Sequence, residues 1–170
     1  MSTILTPAQT CGPLFGFALF PEGLTHTVDP AAARAVTIEG AIFDGAGESV
    51  GYGSFIEFWS DGQTCRARTL DGRFKVTVAK PKAVVVPGVG TLSPSLNIYI
   101  FTRGLARPLM TRMYFPDEAA RNAVDPVMSR VPANVRGRLV AAAGTAPDRL
   151  THDLHLQGDR ESVFFDLDAQ

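Results

Sequence analysis

Few side chains in this sequence could do chemistry, and their spacing assembles no catalytic or metal-binding set. Of the three histidines, His26 stands alone, while His152 and His155 lie three apart on a predicted strand. Residues three apart on a strand point to opposite faces. They would share a face only in a helix, which the alternation of Leu150, Leu154 and Leu156 argues against, so both read as ordinary, partly exposed histidines. The two cysteines, Cys11 and Cys65, have no spacing suited to a zinc site or a disulfide framework, and Cys65 reads as a buried or half-buried thiol. There is no Gly-x-Ser-x-Gly turn to present a serine nucleophile. Gly88-Val89-Gly90 leads toward Pro94 and a strand, not into a helix N-terminus, so nucleotide binding has no support. Asp44, Asp61, Asp71 and Asp148 sit in turn contexts and read as solvated. Arg103 is different. It ends a predicted strand beside Gly104, where a guanidinium can reach out of a sheet and grip a carboxylate through two parallel hydrogen bonds.

The elements that must position these residues are strands. Period-two patterning recurs in short pieces separated by turn residues, which predicts an all-β sandwich of about eight strands with short helical excursions. Val36, Ile38 and Ile42 alternate with small or polar neighbours, and Asp44-Gly45 supplies a turn that tolerates positive φ. Ser54 to Trp59 carries large apolar groups on both faces and suits a central strand. Phe74, Val76 and Val78 alternate as in a half-exposed strand. Asn97 to Phe101 and Leu109 to Phe115 follow, joined across Arg103-Gly104. Asp117 and Asp125-Pro126 can each start a short helix, after which strands are predicted at Arg138 to Ala142, Leu150 to Leu156 and Ser162 to Asp166.

Composition bounds the function. At 170 residues, 45% of them apolar, the chain fits one domain with a sizeable core. Lys and Arg total 16 against 17 Asp and Glu, so the net charge of -1 sets up no field to steer nucleic acid or an anionic membrane surface. No window has the length of apolar sequence that spans a bilayer. The N-terminal MSTILTPAQT lacks the basic-then-apolar pattern of a signal peptide, so the expected compartment is the cytoplasm.

Four blocks, in order along nearly the whole chain, carry a resemblance. They are Thr6-Pro7-Ala8-Gln9-Thr10-Cys11-Gly12-Pro13; Ile38-Glu39-Gly40 through Asp44-Gly45 with Phe55-Ile56-Glu57-Phe58-Trp59; Ser93 to Gly104 with Thr111-Arg112-Met113-Tyr114-Phe115; and Gln157-Gly158 with Glu161 to Asp166. Together they resemble the intradiol ring-cleavage dioxygenases, and within that family the alpha subunits of the protocatechuate 3,4-dioxygenases.

The resemblance implies one intradiol-dioxygenase-like β-sandwich over 1–170, with residues 1–34 as an N-terminal arm contributing to a shared pocket and a subunit interface. It implies a homologous beta subunit that holds Fe(III) with two tyrosinates and two histidines one residue apart on a strand. Ser95 and Asn97 stand at the histidine positions here, one tyrosine position falls in a shortened loop between Trp59 and Phe74, and the other in Val84-Val85-Val86. This chain is thus expected to bind no metal, to have no catalytic residue of its own and to be inactive alone. Matched to the family's shared pocket are Thr10, Gly12, Pro13 and Arg103. The implied activity of the complex is cleavage of protocatechuate by O2 between its hydroxyl-bearing carbons, giving 3-carboxy-cis,cis-muconate in the beta-ketoadipate route of aromatic catabolism. A different class of function, a stand-alone β-sandwich binding or assembly module, would need neither a beta subunit nor Arg103.

Overall fold

Alternating apolar side chains build two sheets that close on one another. The computed structural model describes residue 19 and residues 24–51, 53–60, 62–69, 71–146 and 148–166. Thr10, Gly12, Pro13 and most of the arm expected over 1–34 lie outside these residues. In chain order the strands are β1 (Ala35–Phe43), β2 (Phe55–Ser60), β3 (Gln63–Arg68), β4 (Arg73–Ala79), β5 (Val84–Val86), β6 (Gly90–Leu92), β7 (Ser95–Phe101), β8 (Leu109–Tyr114), β9 (Ala142–Ala143), β10 (Arg149–Thr151) and β11 (Leu154–His155). A 3-10 turn, Pro116–Glu118, leads into the short helix α1 (Ala119–Asn122). The class is all-β, as expected.

One sheet is centred on β1, which pairs antiparallel with β4 on one side and parallel with β10 and then β11 on the other. The second has the order β3-β2-β7-β8, antiparallel throughout, and β5 and β6 form a separate hairpin. Between the two sheets lie Ile38, Ile42, Val76 and Leu154 from the first and Ile56, Phe58, Leu96, Ile98, Ile100 and Met113 from the second, all at or below 1% exposure. Each such side chain contributes about 1.5–3 kcal/mol of burial free energy. Gly40 is required where the chain passes β11's approach: a Cβ there would lie 2.1 Å from the His152 carbonyl oxygen. Residues 24–27 bridge the two sheets, Leu24 accepting from the Arg66 amide of β3 and Thr25 and Thr27 pairing with Thr77 of β4.

Several elements differ from the sequence expectation, each for a local reason. Strand β3 was not anticipated, because only Cys65 and Ala67 are apolar in QTCRAR; both point inward. Arg138 to Ala142 is not a strand: Arg136–Leu139 is a 3-10 turn, fixed by the Arg138 guanidinium donating to the Glu161 and Asp159 carbonyls. The single strand expected over Leu150 to Leu156 is split into β10 and β11. Ser162 to Asp166 runs beside β8 with isolated contacts only, Phe165 N–H to the Met110 carbonyl and Thr111 Oγ1 to the Val163 carbonyl. The positive φ of the first reversal falls on Gly47, not Gly45, while the Asp44 carboxylate accepts from the Ala46 and Glu48 amides. Asp117 caps nothing and instead pairs with Lys80, at 2.6 Å.

Asp125 does open a turn, and more besides. It is fully buried, and its carboxylate accepts from Tyr114 Oη, from the Ser93 amide, and from the Val127 and Met128 amides. That network joins β8, the segment leading into β7 and the crossover after α1. Tyr114 is buried with it, and desolvation pushes its phenol well above the ordinary tyrosine value. Cys65 is a buried thiol pushed up to about 12 by desolvation, and so is unreactive.

His152 is not the partly exposed residue expected. It is 4% exposed, its Nε2 has no hydrogen-bond partner among the described residues, and desolvation lowers its pKa to about 4. The unfolded chain then binds more protons than the folded one between pH 6.5 and 4, so stability present above pH 6.5 is lost as pH falls toward 4. His152 is expected to contribute a loss of about 2 kcal/mol between pH 7 and pH 4.5 in urea denaturation, so His152→Leu should lose less stability over that range; equal pH dependence of the two proteins would refute it. Asp125→Ala is expected to cost about 3–5 kcal/mol in the same assay, and Tyr114→Phe about 1–2 kcal/mol, because three donors to the carboxylate remain.

Candidate pocket wall and the strand of the metal positions

The core fixes the orientation of β7. Leu96, Ile98 and Ile100 point inward at 0% exposure, so Ser95, Asn97, Tyr99 and Phe101 line the outer face of the second sheet. Asn97 lies between Trp59 of β2 and Arg112 of β8, and Ser95 lies opposite Tyr114. Along the same face runs a row of rings: Trp59 stacks on Tyr99 with centroids 6.1 Å apart, Tyr99 lies 6.4 Å from Phe101, and Phe101 stacks on Phe55 at 4.3 Å. Arg66 closes the row, its guanidinium 5.4 Å over the Phe55 ring and paired with Glu57. A cavity of about 560 Å³ opens beside this face, lined by Tyr99, Pro108, Leu109, Met110, Phe164 and Phe165.

The residues at the metal positions do not fit Fe(III). A hard trivalent ion needs anionic oxygen or imidazole donors, and Ser95 and Asn97 offer a neutral hydroxyl and an amide. The amide oxygen is already used: Arg112 Nε donates to Asn97 Oδ1 at 2.9 Å. A guanidinium, itself a permanent cation, therefore sits where a metal would have to approach. Its Nη1 is buried without a hydrogen-bond partner among the described residues. The supposed loop after Trp59 is the hairpin of β2 and β3, and Val84 and Val85 on β5 are exposed valines. Among the described residues no three His, Cys, Asp or Glu side chains are grouped to hold a metal.

Arg103 sits at the other end of β7. The turn from Thr102 to Leu105 is closed by the Leu105 amide donating to the Thr102 carbonyl, with Gly104 at φ 86°, as a type II reversal requires. Arg103 is exposed and makes no ion pair or hydrogen bond with a described residue. At about 3.3 Å per strand residue, Asn97 and Phe101 are already roughly 13 Å apart along β7. Arg103 thus cannot serve the Ser95 and Asn97 positions of its own chain. Thr10, Gly12 and Pro13, its predicted neighbours, lie outside the described residues.

The protocatechuate 3,4-dioxygenase alpha chain of Burkholderia cepacia is 35% identical to this chain, covering 95% of this chain and 97% of that one. The chain belongs to the protocatechuate 3,4-dioxygenase alpha-chain family. The corresponding alpha chain of Pseudomonas putida is 31% identical, with 95% and 96% of the two chains covered. No family model matches the sequence. Among solved structures, the dioxygenase domain of a dioxygenase carbohydrate-binding protein fusion from Streptomyces sp. SirexAA-E superposes with a TM-score of 0.57 at 20% identity, over 93% of this chain and all of that one. The 3-chlorocatechol 1,2-dioxygenase of Rhodococcus opacus 1CP superposes with a TM-score of 0.58 at 13% identity, over 91% of this chain and 68% of that one. At such identities these two show the fold of this chain alone.

Arg112 is the residue that sequence reading passed over at this site. It lies within the Thr111 to Phe115 block, but its pairing with Asn97 depends on the β7–β8 register, and its signal in the sequence is a charged residue amid an apolar strand. Restoring imidazoles alone should accordingly fail. Ser95→His with Asn97→His is expected to bind no stoichiometric Fe(III) by metal analysis, because Arg112 and the missing anionic donors remain; a tight ferric site in that double variant would contradict the misfit.

Proposed function

We propose that this alpha chain is the non-catalytic subunit of a hetero-oligomeric Fe(III) protocatechuate 3,4-dioxygenase. A homologous beta subunit holds the iron, and this chain completes the substrate pocket for intradiol cleavage of protocatechuate by O2 to 3-carboxy-cis,cis-muconate, a step of the beta-ketoadipate route. The chain alone is inactive, and the complex is cytoplasmic. The observation that carries this reading is Arg103: an exposed guanidinium, uncommitted among the described residues, on a fixed turn remote from its own chain's metal positions. Such a group lends charge to a neighbour's pocket instead of its own.

In that role Arg103 pairs with the carboxylate of the bound catechol and of its ring-opened product, and orients the ring. A charge-assisted, two-pronged hydrogen bond is suited to a planar carboxylate, and in a site closed from water it is worth several times its value on an open surface. Thr10, Gly12 and Pro13 form the adjoining wall, where the absence of a Cβ at Gly12 lets backbone approach the substrate. The arm over 1–34 runs into the interface with the beta subunit. The descriptions of the relatives as alpha chains support a second chain type as partner.

In the purified alpha–beta complex, Arg103→Ala is expected to lower kcat/KM for protocatechuate by roughly 10–100-fold, with iron content and the tyrosinate-to-iron absorption unchanged. Unaltered turnover would remove Arg103 from the pocket.

A further inference from the structure

Gly53 lies directly under Arg103. It adopts φ +92°, and a Cβ placed on it would meet Arg103 Cδ at 2.7 Å and Cγ at 2.9 Å, with no other heavy atom of the described residues among its close contacts. The aliphatic stem of Arg103 is thus laid flat on the backbone of the segment leading into β2. The two segments are tied together one residue on, where Ser54 Oγ donates to Thr102 Oγ1 at 2.6 Å; Ser54 is 2% exposed. Farther in, Phe55 pairs in register with Phe101 and their rings stack at 4.3 Å. The base of the Arg103 turn is therefore fixed by a ladder pair, a ring stack and a buried hydroxyl pair, while its side chain rests on a surface only glycine provides.

We infer that Gly53 is a positioning residue for substrate recognition: its bare backbone seats the Arg103 stem and sets the direction in which the guanidinium meets the carboxylate of a carboxylated catechol. This rests on the pocket role proposed for Arg103 and adds the device that aims it. Any side chain at 53 lifts the stem off its seat, because contacts below 3.0 Å are not tolerated and the flexible arginine is the partner that yields. At φ +92° any side chain also strains the backbone at position 53 itself. A misplacement of about 1 Å in a positioning group is enough to cost up to about 100-fold in rate.

The test uses the purified alpha–beta complex with two substrates, protocatechuate and catechol, the second lacking the carboxylate. Gly53→Ala and Gly53→Asn are compared with Arg103→Ala and with the double variant Gly53→Ala/Arg103→Ala, with thermal unfolding recorded for each. Asparagine tolerates positive φ better than alanine, so it separates backbone strain from displacement of Arg103. The expected result is a fall of about tenfold in kcat/KM for protocatechuate in both Gly53 variants, carried mainly by KM, with catechol turnover unchanged and no further loss in the double variant beyond Arg103→Ala. Wild-type preference for protocatechuate in the Gly53 variants, equal losses on both substrates, or full additivity in the double variant would overturn the inference while leaving Arg103's role intact. A silent Arg103→Ala would overturn that role and this inference together.

Discussion

Strand β7 is clamped between β2 and β8, and the alternation of its side chains is the constraint on which every other feature of the face depends. Leu96, Ile98 and Ile100 are fully buried between the sheets, so the odd-numbered residues must point outward. A slip of one residue would expose three large apolar side chains and cost on the order of 5 kcal/mol or more by area alone. The same register places Asn97 opposite Arg112 and brings Phe101 opposite Phe55. One packing decision thus supplies both a filled metal position at one end of the strand and an anchored arginine turn at the other.

The two ends of β7 obey different physics. At the Ser95 end, a cation is held by an amide and forms no ion pair among the described residues, an arrangement that disfavours a second, trivalent cation by repulsion and by want of donors. At the Thr102 end, a type II turn and a glycine seat hold a guanidinium in the open. The first makes the chain self-contained; the second leaves it something to offer. Both are consistent with an alpha chain whose proposed contribution to ring cleavage is geometric and electrostatic.

Much of this was legible in the residues. The all-β class, the strands around β1, β2, β4, β7 and β8, and the Arg103-Gly104 reversal follow from period-two alternation and turn chemistry, both of which are local. What stayed hidden was non-local. Strand β3 lacks the apolar content that marks a strand, and it exists because β2 offers it a ladder. His152 is buried because β1 and the segment between β10 and β11 converge on Gly40, a meeting that spacing alone does not reveal. The Arg112–Asn97 pair needs the exact register of the β7–β8 hairpin, which alternation does not fix, and the contact of Gly53 with Arg103 joins residues on segments far apart in sequence.

The proposed division of labour is that this polypeptide shapes a pocket but does not hold the iron. Metal analysis and oxygen uptake with protocatechuate, measured on the chain purified without any companion, test it most directly. Absence of stoichiometric iron together with no oxygen consumption is the predicted result. Tightly bound ferric ion accompanied by ring cleavage would contradict it.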